Sequence, residues 1–148
     1  MNLLQKLAET KAETIGFFEL SDGLLFKTYA PGKWNVKELL VHIADAETVL
    51  HERIKRIIAE PRQVLWAFQQ ELWSQQLDYI GYPLELSGAL YLANRNDIIY
   101  LAELYYEKYG VREFVHNETG IRTLKNEFDK VANHNEHHLQ QIKIALNS

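Results

Sequence analysis

The sequence predicts an all-α protein, a four-helix bundle with an extra short helical segment between its second and third long helices. Three observations predict it. Apolar residues recur at helical spacing over four long stretches, and 148 residues contain only three Pro and seven Gly, too few for a many-turned β chain. Asn35 followed by Glu38 is a helix-start signature, in which each side chain caps the other's backbone N–H. The length suits one domain over residues 1–148, and no repeat or linker-like stretch divides it.

The first helix is expected from Leu3 to Phe18, with Leu4, Leu7, Ala8, Ile15 and Phe18 in helical register before the break at Ser21-Asp22-Gly23. Ala30-Pro31-Gly32 is a second break. Helix two opens at Asn35 and carries Val36, Leu39, Leu40, Ile43, Ala46, Leu50, Ile54 and Ile57 on one stripe to about Ala59, where Pro61 stops it. Residues 62–86 are aromatic-rich, and a short helix is expected around Val64 to Asp78. Ser87 is read as the cap of a third long helix running to about Tyr109, with Gly110 as its stop. Thr123 begins the fourth, Leu124 to Leu146, which places Leu124, Phe128, Val131, Leu139, Ile142 and Leu146 on one face.

Composition removes whole classes of function. The chain has no cysteine, so disulfides, thiolate zinc sites, iron–sulfur ligation and cysteine nucleophiles are excluded. Net charge is −4 and the sixteen Lys and Arg are scattered, which gives a nucleic-acid backbone nothing to bind. No basic-then-apolar leader and no apolar run of about 20 residues is present, so a cytoplasmic protein without membrane contact is expected.

Three histidines interrupt the apolar faces. His134 and His138 are four residues apart, one above the other on the inward face that also carries Val131 and Ile142. His42 lies between Leu39 and Ala46 on the stripe of helix two. Two inward histidines on one helix and a third on another can close a three-ligand metal site between packed helices. Taken singly, each also reads as a packed histidine bonded to backbone or carboxylate, but three imidazoles buried with no common partner would leave several polar nitrogens unsatisfied. Three neutral nitrogens suit Zn, Ni, Fe, Co or Cu better than Mg or Ca. His137 and His51 are expected to face outward, and His116 to sit in a surface loop. Glu38, Asp45, Glu47 and Glu136 are the carboxylates near enough in sequence to orient an imidazole, and each is more often a solvated helix charge. Trp66, Trp73, Tyr79 and Tyr82 are candidate pocket walls, with core or dimer contacts as the other reading.

The segment Trp34-Asn35-Val36-Lys37-Glu38-Leu39-Leu40-Val41-His42-Ile43-Ala44-Asp45-Ala46-Glu47 resembles the second-helix signature of the DinB-like (DinB/YfiT) superfamily. Gly120-Ile121-Arg122-Thr123-Leu124, followed by His134-Asn135-Glu136-His137-His138-Leu139-Gln140-Gln141-Ile142, resembles that family's final motif. The resemblance implies a four-helix bundle with metal ligands at His42, His134 and His138 and water completing the site. It implies one divalent transition metal, with Zn and Ni heading the candidates and Fe, Co and Mn behind them. It further implies a metal-dependent enzyme, an S-transferase using a low-molecular-weight thiol of the bacillithiol or mycothiol kind or else a hydrolase, and a homodimer. The other expectation is a non-enzymatic metal- or small-ligand-binding bundle, a sensor, with Glu38 or Glu47 closing the coordination shell. Residues 62–85 match too loosely to carry a substrate across.

Overall fold

Residues 1–60 and 62–148 are described by a computed structural model; Pro61, the expected stop of the second long helix, lies outside them. In chain order the elements are α1 (Leu3–Phe17), α2 (Asp22–Leu25), α3 (Val36–Ala59), β1 (Val64–Leu65), α4 (Gln70–Gln76), α5 (Leu84–Tyr105), β2 (Glu113–His116), β3 (Gly120–Thr123) and α6 (Leu124–Leu146). No helix among the described residues is long and apolar enough to cross a membrane.

The four long helices start where their caps dictate. Asn2 with Gln5, Asn35 with Glu38, and Thr123 with Asn126 each form a reciprocal capping box on α1, α3 and α6. α5 departs from expectation: it begins at Leu84 with Pro83 at the cap position, and Ser87 is buried inside the helix, its N–H donating to the Pro83 carbonyl. Proline has a fixed φ and no N–H to satisfy at a helix start, so the helix opens at Pro83 without a side-chain cap. The helix ends at Tyr105, four residues early.

α3 and α1 each pack against both α5 and α6, so α1 and α3 occupy diagonal corners of the bundle. The crossing from α5 to α6 is made by a structure the all-α expectation lacks. β2 pairs antiparallel with β3, His116 opposite Gly120, and β1 adds in parallel, Val64 opposite Val115. Gly120 has a φ of 82°, the left-handed conformation that closes the hairpin. The expected helix from Val64 to Asp78 is thus a two-residue strand followed by the seven-residue α4.

Gly110 lies at the turn into this hairpin, and its carbonyl accepts from the Lys125 N–H in the first turn of α6. A Cβ there would run into the Tyr106 carbonyl and the Lys125 side chain. Gly110→Ala is therefore expected to cost about 1–3 kcal/mol, the usual range for overpacking, read as a lower urea midpoint with unchanged slope.

The core is two apolar clusters divided by a polar layer. One cluster gathers Leu50, Ile54, Ile98, Phe128 and Val131, the other Leu39, Leu40, Ile43, Tyr91 and Ile142. Between them Arg95 is fully buried, and its five N–H donors meet five acceptors. It donates to Glu47 Oε2 (2.8 Å) and Oε1 (2.7 Å), Asn135 Oδ1 (2.8 Å), Thr10 Oγ1 (2.7 Å) and the Leu7 carbonyl (3.0 Å). Tyr91 donates to the same Asn135 oxygen at 2.6 Å, and the Asn135 amide donates to Thr14 at 2.9 Å. All four long helices contribute. A slip of one helix by one turn would strand buried polar groups, so this layer fixes the register in which α3 and α6 face each other.

Candidate metal centre

α3 and α6 bring His42, His134 and His138 together. Their Nε2 atoms form a nearly equilateral triangle: His42 to His134 is 3.0 Å, His42 to His138 3.1 Å, and His134 to His138 3.1 Å. Among the described residues these three form the one cluster of metal-ligating side chains, and no carboxylate belongs to it. His42 has no exposed surface, and His138 has only 7%.

Surrounding groups fix the rings. His138 Nδ1 donates to Gln141 Oε1 at 2.7 Å, and since an amide oxygen can only accept, the proton is on Nδ1 and the Nε2 lone pair faces the triangle. Phe68 lies parallel to the His42 ring (centroids 5.6 Å, interplanar 3°), and Trp34 covers it from 4.8 Å. His42 Nδ1 is buried without a partner. Burial, reinforced by His134 and His138, lowers the His42 pKa to about 2, and burial with His138 and Lys130 lowers that of His134 to about 3. Burial also lowers His138, against the Gln141 hydrogen bond. All three are neutral imidazoles at physiological pH.

With its proton on Nδ1, His138 can only accept at Nε2, and since each ring nitrogen carries either one proton or one lone pair, hydrogen bonds among the three Nε2 atoms cannot pair all of them. A cation satisfies all three at once. The donor set therefore fits a divalent transition metal, and a cleft opens beside His138. That cleft, about 400 Å³, is lined by Tyr29, Trp34, Gln70, Glu71, His137 and Gln141 among others.

The lowered pKa values have a sign that can be tested. An unfolded chain takes up protons on His42 and His134 near pH 6.5, while the fold refuses them down to about 2 and about 3. Stability is thus intact above pH 6.5 and falls as the pH drops below it. Chelator-treated protein is expected to lose about 2 kcal/mol between pH 6.5 and 5.5 from these two groups, measured by urea unfolding, and His42→Phe to lose less.

Other expectations need correction. His51 is half-buried, bonded to Asn94 Oδ1 at 2.9 Å and Asp97 Oδ2 at 2.5 Å, because α5 as well as α6 packs against α3. His116 is buried in β2 and not a surface loop residue. His137 is exposed, as its position on the helix predicts. None of the four carboxylates reaches an imidazole. Glu38 caps α3, Asp45 accepts from the Tyr79 hydroxyl (2.6 Å), Glu47 pairs with Arg95, and Glu136 lies 3.6 Å from Lys6. Trp66 is 75% exposed and lines a different cleft beside Arg53, while Trp73 meets the site only through an edge-on contact with Phe68. Tyr79 is buried against Trp34 and Asp45, and Tyr82 is half-buried near it. The aromatic wall on the histidines is Trp34 and Phe68, and Phe68 was visible in the sequence only as one aromatic among many.

The profile of the DinB superfamily matches residues 6–142. The chain belongs to that superfamily. It is 34% identical over 129 residues to "Putative metal-dependent hydrolase OB0413" of Oceanobacillus iheyensis, covering 87% of this chain and 74% of that one. It is 27% identical to YfiT of Bacillus subtilis, named in the same way, over 94% of this chain and 79% of YfiT. The solved structure of YfiT, described as a probable metal-dependent hydrolase with an unusual four-helix bundle topology, superposes with a TM-score of 0.86. The match covers 95% of this chain and 82% of that one at 25% identity. The diagonal arrangement of α1 and α3 is thus a four-helix bundle of the YfiT type.

Proposed function

We propose that this DinB-superfamily chain is a metalloenzyme that binds one divalent transition metal, Zn or Ni foremost, through His42, His134 and His138. Its reaction on this reading is the transfer of a low-molecular-weight thiol to a small electrophile. The observation that carries it is the convergence of three neutral Nε2 atoms within 3.1 Å of one another, beside a cleft open to small molecules. When bound, such an ion supplies a Lewis acid with an open position and lowers the pKa of the water or thiol it takes up.

The chain's own residues then hold and shield. Gln141 keeps the His138 lone pair inward, and Trp34 and Phe68 exclude water from the His42 side. The polar layer through Asn135, next to His134, sets the register of the two ligand helices. A chain without cysteine takes its nucleophile from outside. The committed partners of Glu38, Asp45, Glu47 and Glu136 favour a thiol over water, because a thiol at a cation ionises without a general base, whereas water attack commonly uses one. The same commitments argue against a closed sensor site, since Glu38 and Glu47 are engaged elsewhere.

Hydrolysis is the second reading, supported by the names of the relatives and by Glu71 in the cleft wall. One experiment separates them. Protein loaded with zinc or nickel is incubated with 1-chloro-2,4-dinitrobenzene with and without bacillithiol or cysteine, and separately with p-nitrophenyl acetate. Thiol-dependent product that disappears in His138→Ala supports transfer. Ester cleavage alone moves the assignment to hydrolysis, and no His138-dependent turnover in either assay leaves a metal-binding sensor.

A further inference from the structure

A second cluster of buried charge lies along α6 from the histidines. Glu127, with no exposed surface, faces Arg53 (3.5 Å) from α3 and Arg122 (3.6 Å) from β3. Both distances are too long for hydrogen bonds, and both Glu127 oxygens and the Arg122 Nε are buried without a partner. Lys130, half-buried and one turn further along α6, forms no hydrogen bond or ion pair among the described residues. Burial lowers its pKa, Glu127 opposes that, and Arg53 and Arg122 add to it. His116 completes the group. Its Nδ1 accepts from the backbone N–H groups of Glu118 (3.2 Å) and Thr119 (3.1 Å), so its proton is on Nε2, a donor without a protein partner among the described residues. Burial, with Arg53 and Lys130, keeps that ring neutral.

Three cations thus surround one buried carboxylate, which leaves two positive charges in excess in a partly buried setting. Such an excess is costly unless an anion compensates it, and the unsatisfied Arg122, Lys130 and His116 donors are the groups an oxyanion would engage. We propose that Arg53, Arg122, Lys130 and His116, spaced by Glu127, form a binding site for an oxyanion, a carboxylate or phosphate group of a small molecule. Lys130 precedes His134 by four residues, about 6 Å along the helix axis, so the anion site lies one helical turn from the nearest of the three histidines. The anion site does not rest on the metalloenzyme reading.

The test is calorimetric titration of inorganic phosphate, and separately of malonate, at constant ionic strength set with chloride. It uses the full chain and four variants, Lys130→Met, Arg122→Gln, Glu127→Gln and His42→Ala. Saturable binding is expected, about tenfold weaker in Lys130→Met and Arg122→Gln, both at solvent-reachable positions that spare the core. Glu127→Gln raises the excess charge and is expected to tighten binding several-fold, where a purely structural ion pair predicts no gain. The stronger of phosphate and malonate identifies the oxyanion class. Undiminished binding in His42→Ala shows the anion site independent of the metal, whatever the fate of the metalloenzyme reading. Binding lost in His42→Ala and kept in Lys130→Met, or no saturable binding in any protein, overturns the proposal.

Discussion

Replacing His42, His134 or His138 by alanine, one at a time, is expected to reduce bound metal from about one ion per chain to a small fraction. The three Nε2 atoms share one point, and two imidazoles on a rigid helix pair leave the ion under-coordinated. His137→Ala, at an exposed neighbouring ring, is expected to keep full occupancy. Gln141→Leu removes the acceptor that orients His138 and is expected to weaken affinity by about 10- to 100-fold at unchanged stoichiometry. Elemental analysis of untagged protein checks all of these. Substantial metal in any of the three single alanine variants, or none in the wild type after reconstitution with zinc and nickel, would sink the assignment.

The second large effect is expected far from solvent. Arg95→Met leaves the Glu47 carboxylate buried without its partner and frees acceptors on Thr10, Asn135 and Leu7, and is expected to cost about 3–5 kcal/mol. The double variant Arg95→Met/Glu47→Leu removes both charges and is expected to recover a large part of that loss, because the penalty lies in the orphaned charge more than in the missing pair. Denaturant unfolding of the two singles and the double measures the coupling. Equal and additive losses would mean that Glu47 and Arg95 act independently, against the geometry of their two short contacts.

The two ligand helices were legible in the sequence because each carries its own start signal and a long stripe, and the three histidines stood out as polar groups on apolar faces. Arg95 and Glu127 could have been found the same way. Arg95 continues the buried series Tyr91, Ile98, Ala102, and Glu127 sits between Leu124 and Val131, yet a charged residue on a stripe names no partner until the fold supplies one. The sheet was not legible because strands of two to four residues contain too few alternations to set a period against background. Its nearest signal was Asn117-Glu118-Thr119-Gly120, a turn-forming run between Phe114-Val115 and Ile121-Arg122. Ser87 misled for a local reason, since Pro83 had already opened the helix.

The cleft beside His138 and the ligands it serves come from different parts of the chain. The metal ligands belong to α3 and α6, locked by the Arg95 layer, while Tyr29, Gly32, Lys33, Gln70 and Glu71 in the cleft wall come from the connections on either side of α3 and from α4. Those connections can change length and composition without moving the histidines, since they carry none of the hydrogen bonds that set the register. The fold therefore separates what is held constant from what is free to diversify: one histidine centre can be presented to many different molecules by sequence drift in the connections on either side of α3. Exchanging residues 26–33 or 69–76 for those of a relative, which spares Trp34 and Phe68 against His42, would then alter which compounds bind in the cleft while the metal content stays the same.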